Sequence, residues 1–315
     1  MKSDTNRNRK LTGYALGIVA AATYGMNPLF ALPLYADGMD SNSVLLFRYL
    51  IAVPIVAGMA AARGRSLSIK RGQALPLAGL GLMMALSSLA LFVSYTYMAA
   101  SIASTLLFVY PLMVALIMAL IFKEKLSVQT IVCLALAMGG LYVLFRGNGE
   151  TGPLSPPGTL WVMASALLYA IYIVGVNRPR LKRLSTLSLT FWVLLFGTVL
   201  FIAVGFSCGG ISLPQTPWLW LNLVALALLP TAVSLVCTTM AIQRIGSTPT
   251  AILGVFEPVT AIVFGVTVFG EVLTGTDIVG IVLIVTAVSL EIAGGSVKTQ
   301  LLKIRRLLPH RHAGN

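Results

Sequence analysis

Charge is the scarcest thing in this sequence. Only 10% of the 315 residues are Asp, Glu, Lys or Arg, against about 25% in ordinary soluble domains. A soluble fold of this size could not cover its surface with so few charges. Acids are rarest of all, nine in the whole chain, and His310 and His312 are the only histidines. Three cysteines, Cys133, Cys208 and Cys237, are odd in number and widely spaced. They form no CxxC pair or Cys/His cluster, which excludes a disulfide scaffold and a structural zinc site. No GxxxxGK[ST] loop occurs, so nothing binds ATP to drive the chain directly. HExxH is also missing, and no cofactor or metal is expected.

What fills the chain instead is apolar. Hydrophobic residues make up 57%, with 29 glycines besides, and the mean hydropathy is +0.92. This is the composition of a multi-pass membrane protein. A spanning helix needs about 20 mostly apolar residues. Ten such runs follow one another, near 11–35, 43–62, 74–98, 101–121, 128–146, 158–177, 186–207, 217–243, 248–269 and 275–294. The first run is too long for a cleaved signal and reads as span 1. The connections leave no room for a soluble domain, and an all-α membrane protein of ten helices is expected.

The net charge of +13 is a topology label. Twenty of the 22 Lys/Arg fall in the N-terminal tail, the C-terminal tail and the even-numbered loops between them. Arg146 alone falls on the other side, and Arg48 lies inside span 2, where it is expected to snorkel outward or pair with Asp37 or Asp40. By the positive-inside rule both termini are cytoplasmic. The basic loops are therefore not read as a nucleic-acid surface.

The two halves repeat. Residues 101–127 align with 248–274 at a constant offset of 147, pairing Pro111 with Pro258, Glu124 with Glu271 and Ser127 with Thr274. Spans 1 and 6 align more weakly at an offset of 145, pairing Gly13 with Gly158 and Tyr24 with Tyr169. Each half has five spans, an odd number, so the second copy is inverted in the membrane. The expected organisation is a basic tail (1–10), a first repeat (11–146), a connecting loop (147–157), a second repeat (158–294) and a second basic tail (295–315). Inverted repeats are the architecture of secondary transporters, whose sites lie at the repeat interface near the midplane.

The stretches LLFVYPLMVALIMALIFKEKLS and AIQRIGSTPTAILGVFEPVTAIVFGVTVFGEVLT, with FRYLIA in span 2 and GTLWVMASALLYAIYIV in span 6, resemble the EamA-type ten-span carriers of the drug/metabolite transporter superfamily. The resemblance runs from about residue 11 to 294. One departure is in span 1, where the family usually has a tryptophan before the glycine and this chain has Tyr24-Gly25. The resemblance implies a carrier that is not an enzyme, placed in the cell (inner) membrane. It implies a small-molecule partner, an amino acid, another metabolite or a drug, and leaves a homo-oligomer open.

Helix rise of about 1.5 Å per residue sets the depth of each side chain. Tyr24, Tyr110, Tyr169 and Glu257 fall at the midplane, with Asn27 about one turn outward; these five are the candidate substrate-binding residues. A carboxylate at the bilayer centre costs on the order of 2.5–3.5 kcal/mol on insertion scales and usually marks function. Glu257 is thus also the candidate proton-coupling site. Its structural alternative is to cap the Gly254 carbonyl, which Pro258 leaves without a helical partner. Pro111 and Pro258 are the candidate kinks for gating. Export of a metabolite by alternating access is the leading reading. Efflux of cationic or amphipathic drugs is the alternative, and a non-transporting scaffold or sensor is the alternative of another class.

Overall fold

The computed structural model describes residues 2–98, 100–123, 126–147, 155–178, 181, 184–207, 210–268, 275–276, 278–287 and 289–290. Glu124, Glu271, Thr274 and the C-terminal tail lie outside them. Among the described residues every regular element is a helix. That is the expected outcome in lipid, where each backbone polar group must be satisfied within its own segment or in a closed barrel. Six helical spans are long and apolar enough to cross a membrane: Asn8–Ala36, Ser41–Ala62, Arg71–Ser94, Pro156–Val176, Thr186–Ser207 and Pro217–Ile245. Shorter apolar helices supply the rest of the ten-helix plan.

Several spans are broken. Span 1 is α1 (Lys2–Tyr24) followed by α2 (Asn27–Ala36), and its helix begins within the stretch read as a basic tail. Span 2 is α3 (Ser41–Ala62) and span 3 is α4 (Arg71–Ser94). Span 4 divides into α5 (Ala100–Leu107) and α6 (Tyr110–Leu120), and span 5 is α7 (Val128–Gly147). Spans 6 and 7 are the continuous helices α8 (Pro156–Val176) and α9 (Thr186–Ser207). Span 8 runs through α10 (Pro217–Leu226), a π-helical segment at Ala227–Val233, and α11 (Ser234–Ile245). Span 9 divides into α12 (Ser247–Leu253) and α13 (Phe256–Val268). Span 10 is α14 (Ile278–Ala287).

The ends are set by local chemistry. Asp40 caps α3 by accepting from the Ser43 N–H at 3.0 Å. Ser155 and Thr216 cap α8 and α10, each followed by a proline in the first turn, where a missing N–H costs nothing. Ser127 accepts from the Thr130 N–H at the start of α7, as expected of a cap. Spans 8 and 9 are joined through the single residue Gly246, whose φ of +93° suits glycine.

The breaks in spans 1, 4 and 9 share one cause. Each lies just ahead of a proline: Pro28, Pro111 and Pro258. Proline cannot donate, and its ring crowds the carbonyl four residues back. The residues before each proline fall into tighter i→i−3 bonds, from Met26 to Thr23, Val109 to Leu106 and Val255 to Ile252. The breaks therefore precede Pro111 and Pro258 by two to four residues.

The helices pair as an inverted repeat requires. Span 3 packs on span 6, and its counterpart span 8 packs on span 1. The hydrogen bonds repeat too. Ser87 donates to the Ser165 carbonyl at 2.9 Å, and Ser234 donates to the Ala20 carbonyl at 2.9 Å. Ser87 and Ser234 are 147 apart, and Ala20 and Ser165 are 145 apart, the two offsets of the sequence repeat. Gly13 and Gly17 face Ile245 and Leu253 within the same chain, so this small-residue pair serves internal packing.

Candidate functional site

The tyrosines and the carboxylate chosen from sequence meet at one place. Tyr24 stacks on Tyr169 with centroids 6.0 Å apart and planes 8° from parallel. The Tyr110 hydroxyl donates to Glu257 Oε1 at 3.3 Å. Tyr110 also meets Tyr169 edge-on at 4.8 Å. Both Tyr24–Tyr169 and Tyr110–Glu257 are repeat-equivalent pairs. A residue that touches its own equivalent must lie beside the pseudo-twofold axis, and two such pairs fix that axis at this cluster. The site is therefore at the repeat interface.

The breaks deliver these groups. Asn27, Tyr110 and Glu257 each immediately precede a proline, in the first turn of a half-helix. The positive N-terminal ends of α2, α6 and α13 thus converge here, an arrangement that favours negative charge. The Gly254 carbonyl is taken by the Glu257 backbone N–H at 2.8 Å, so that backbone group already caps the kink and the carboxyl is turned to Tyr110. Glycine makes the approach close: a Cβ on Gly25 would strike the Glu257 backbone carbonyl, and one on Gly254 would strike the Tyr110 hydroxyl.

A cavity lies beside the cluster, lined by Tyr24, Gly25, Asn27, Pro28, Leu91, Tyr95, Ser104, Leu107 and Glu257. Its volume is about 10 Å³, space for roughly one water. Ligand pockets are typically about 300–1,000 Å³, so the centre is closed in this conformation. Asn27 is buried there, and neither its amide nitrogen nor its carbonyl oxygen has a hydrogen-bond partner among the described residues. On the basic face an open crevice of about 340 Å³ is lined by Arg63, Arg65, Ser185, Thr186 and Gln243 among others. On the opposite face Asp40 clasps the second repeat: its Oδ1 accepts from Ser212 Oγ at 3.1 Å, while Ser43 Oγ accepts from the Ser212 N–H at 2.9 Å. Partial burial pushes the Asp40 carboxyl up. The hydrogen bonds from Ser43 and Ser212 outweigh that and hold it below its ordinary value.

These features sit in a fold shared with known proteins. The description EamA-like transporter family matches residues 11–146 and 156–292. The chain belongs to the EamA-like transporter family. Relatives carry the name uncharacterized transporter. One from Archaeoglobus fulgidus is 28% identical over 60% of this chain and 65% of its own length. One from Synechocystis is 28% identical over 67% of this chain and 64% of its own length. YcbK of Bacillus subtilis is 25% identical over 78% of this chain and 81% of its own length. The chain thus spans just under two thirds of the first two relatives. A crystal structure superposes with a TM-score of 0.76, covering 93% of this chain and 99% of that one at 18% identity, which speaks to the fold.

Sequence reasoning missed part of the surroundings. Pro28 and Ser104 were not singled out, although Asn27-Pro28 repeats the polar-residue-then-proline pattern of Tyr110-Pro111 and Glu257-Pro258. Arg48 is a correction. It is 0% exposed and so does not snorkel. It pairs with neither Asp37 nor Asp40; its Nε donates to Thr231 Oγ1. The cause is the π-helical turn of span 8, which presents that hydroxyl and the Pro230 carbonyl to span 2.

Proposed function

We propose that this EamA-like protein is a secondary carrier that exports a small metabolite such as an amino acid across the cell (inner) membrane. The two repeats rock about the central cluster, and alternating access results. The observation that carries this reading is that two repeat-equivalent pairs, Tyr24–Tyr169 and Tyr110–Glu257, touch across the interface. A site on the axis meets the same two halves whichever face is open. Tyr24, Asn27, Tyr110, Tyr169 and Glu257 enclose the substrate, and the proline breaks at Pro111 and Pro258 let the half-helices move. Glu257 takes up and releases the coupling proton, with the Tyr110 hydroxyl able to bond the carboxylate or accept from the acid.

The drug-efflux reading draws on the same tyrosine rings, which could surround a cation with Glu257 as countercharge. Purified protein in liposomes separates the two. Efflux of amino acids under an imposed proton gradient supports the proposal, whereas transport of organic cations alone supports the alternative. Glu257→Gln transport that keeps the wild-type rate and pH dependence removes the coupling role.

A further inference from the structure

Arg48 is a buried cation that nothing in the described fold neutralises. Besides the Thr231 bond, its Nη2 reaches the Pro230 carbonyl at 3.4 Å, and its Cζ lies 5.4 Å from the Phe92 ring centroid. Nη1 has no acceptor among the described residues. A guanidinium carries five N–H donors, and burying one with donors unsatisfied is costly. The Phe92 ring meets part of the charge and span 8 takes two of the donors, which leaves Nη1 over.

The surroundings lead from Arg48 to the central cavity. Phe92, under the guanidinium, packs on Tyr95 at 5.4 Å. Tyr95 and Leu91 line the cavity together with Asn27. Tyr24 and Tyr95 lie within electrostatic reach of both Arg48 and Glu257. Arg48, Phe92 and Tyr95 thus form a continuous path to a tyrosine-lined cavity whose wall also includes Glu257. In that same wall the Asn27 amide has a donor and an acceptor without partners among the described residues.

We propose that Arg48 is the anion subsite of the carrier, its free Nη1 taking the carboxylate of a substrate whose ammonium faces Glu257. This rests on the carrier reading above and narrows it to zwitterions that span the two charges. Asn27 orients the substrate from the side. An anion held here also completes the coordination of Arg48 and so ties span 2, the π-helical turn of span 8 and the substrate together.

The test uses the full chain in liposomes with L-phenylalanine, L-threonine and L-lysine. Each is compared with its carboxamide and its decarboxylated amine, in chloride and in gluconate buffer. The wild type is expected to carry at least one free acid about tenfold faster than its amide or amine, the equivalent of about 1.4 kcal/mol. Arg48→Gln is expected to lower that acid-to-amide ratio by about tenfold or more, with Arg48→Lys intermediate. If Arg48→Gln does not fold, the wild-type ratio and the lysine variant decide. Amides and amines carried as fast as the acids by the wild type would overturn the subsite while leaving the carrier reading intact. Amines carried only in chloride, with that dependence lost in Arg48→Lys or Arg48→Gln, would overturn the carboxylate in favour of an inorganic anion. If no compound of any class moves, the carrier reading fails and the subsite falls with it.

Discussion

Replacing Gly25 by alanine adds one methyl group at the closest approach of spans 1 and 9. That methyl would sit 3.0 Å from both Glu257 Cα and Thr260 Cβ, and closer still to the Glu257 carbonyl oxygen. Carbon atoms prefer about 3.5–4.0 Å, so the two spans must part by several tenths of an ångström or more. The nearest obstacle is backbone, which cannot rotate away as a side chain can. Overpacking of this kind costs about 1–3 kcal/mol. Removing a glycine from the unfolded chain returns about 0.4–1 kcal/mol, so the net loss is at most about 2.6 kcal/mol. Gly79 in α4 is the control, since nothing lies within 4 Å of a Cβ there. Gly79→Ala should gain about 0.5–1 kcal/mol from helix propensity. Denaturant unfolding in mixed micelles measures both variants, and efflux assays follow the parting of the halves. The account predicts opposite signs for the two and a transport defect only in Gly25→Ala. Equal stability of the two variants would refute the close approach of the halves at the site.

Other substitutions probe other parts of the fold. Ser87→Ala and Ser234→Ala each remove one of two repeat-related hydrogen bonds, so each should cost about 0.6 kcal/mol, the average for such bonds between membrane helices; unfolding titrations should give similar values. Tyr110→Phe deletes the hydroxyl that bonds Glu257 and should cost about 0.5–1.5 kcal/mol while shifting the pH profile of transport. Replacing Asp40 with alanine removes a helix cap and a clasp between the repeats, worth about 1 kcal/mol at neutral pH. Because the folded carboxyl lies below its ordinary value, that stabilisation is full above the unfolded value of about 3.9 and is lost as pH falls through the folded one. Wild type and Asp40→Ala should therefore converge in strong acid, as thermal melts between neutral and acid pH would show.

The repeat was legible because residues 101–127 and 248–274 align without a gap, and every shared proline and glutamate fell at one offset. The midplane cluster followed from counting along each span, since depth is one-dimensional and helix rise is constant. Kinks at Pro111 and Pro258 were expected from sequence, but the matching break ahead of Pro28 and the exact place of each turn, which a hydropathy pattern averages over, were not legible. The breaks at Gly25–Met26, Phe108–Val109 and Gly254–Val255 are short turns inside apolar runs, and their signal is a proline three or so residues later. Span 6 has no such proline near Tyr169, and it stays continuous while its counterpart span 1 breaks at Pro28. Arg48 failed for a different reason. Its depth was readable, but whether it turned to the surface or inward depended on the π-helical turn around Pro230, a backbone detail set by tertiary packing.

The central claim is that the two repeats alternate about the tyrosine and glutamate cluster. Pulsed electron–electron distance measurements on doubly labelled protein in liposomes test it directly. The three native cysteines are first replaced. One label pair is placed on the basic face at Arg65 and Gln243, and a second on the opposite face at Gly38 and Ile211. Across substrate and pH conditions, the account predicts that one distance lengthens as the other shortens. Distances that stay fixed, or that lengthen together, would contradict it.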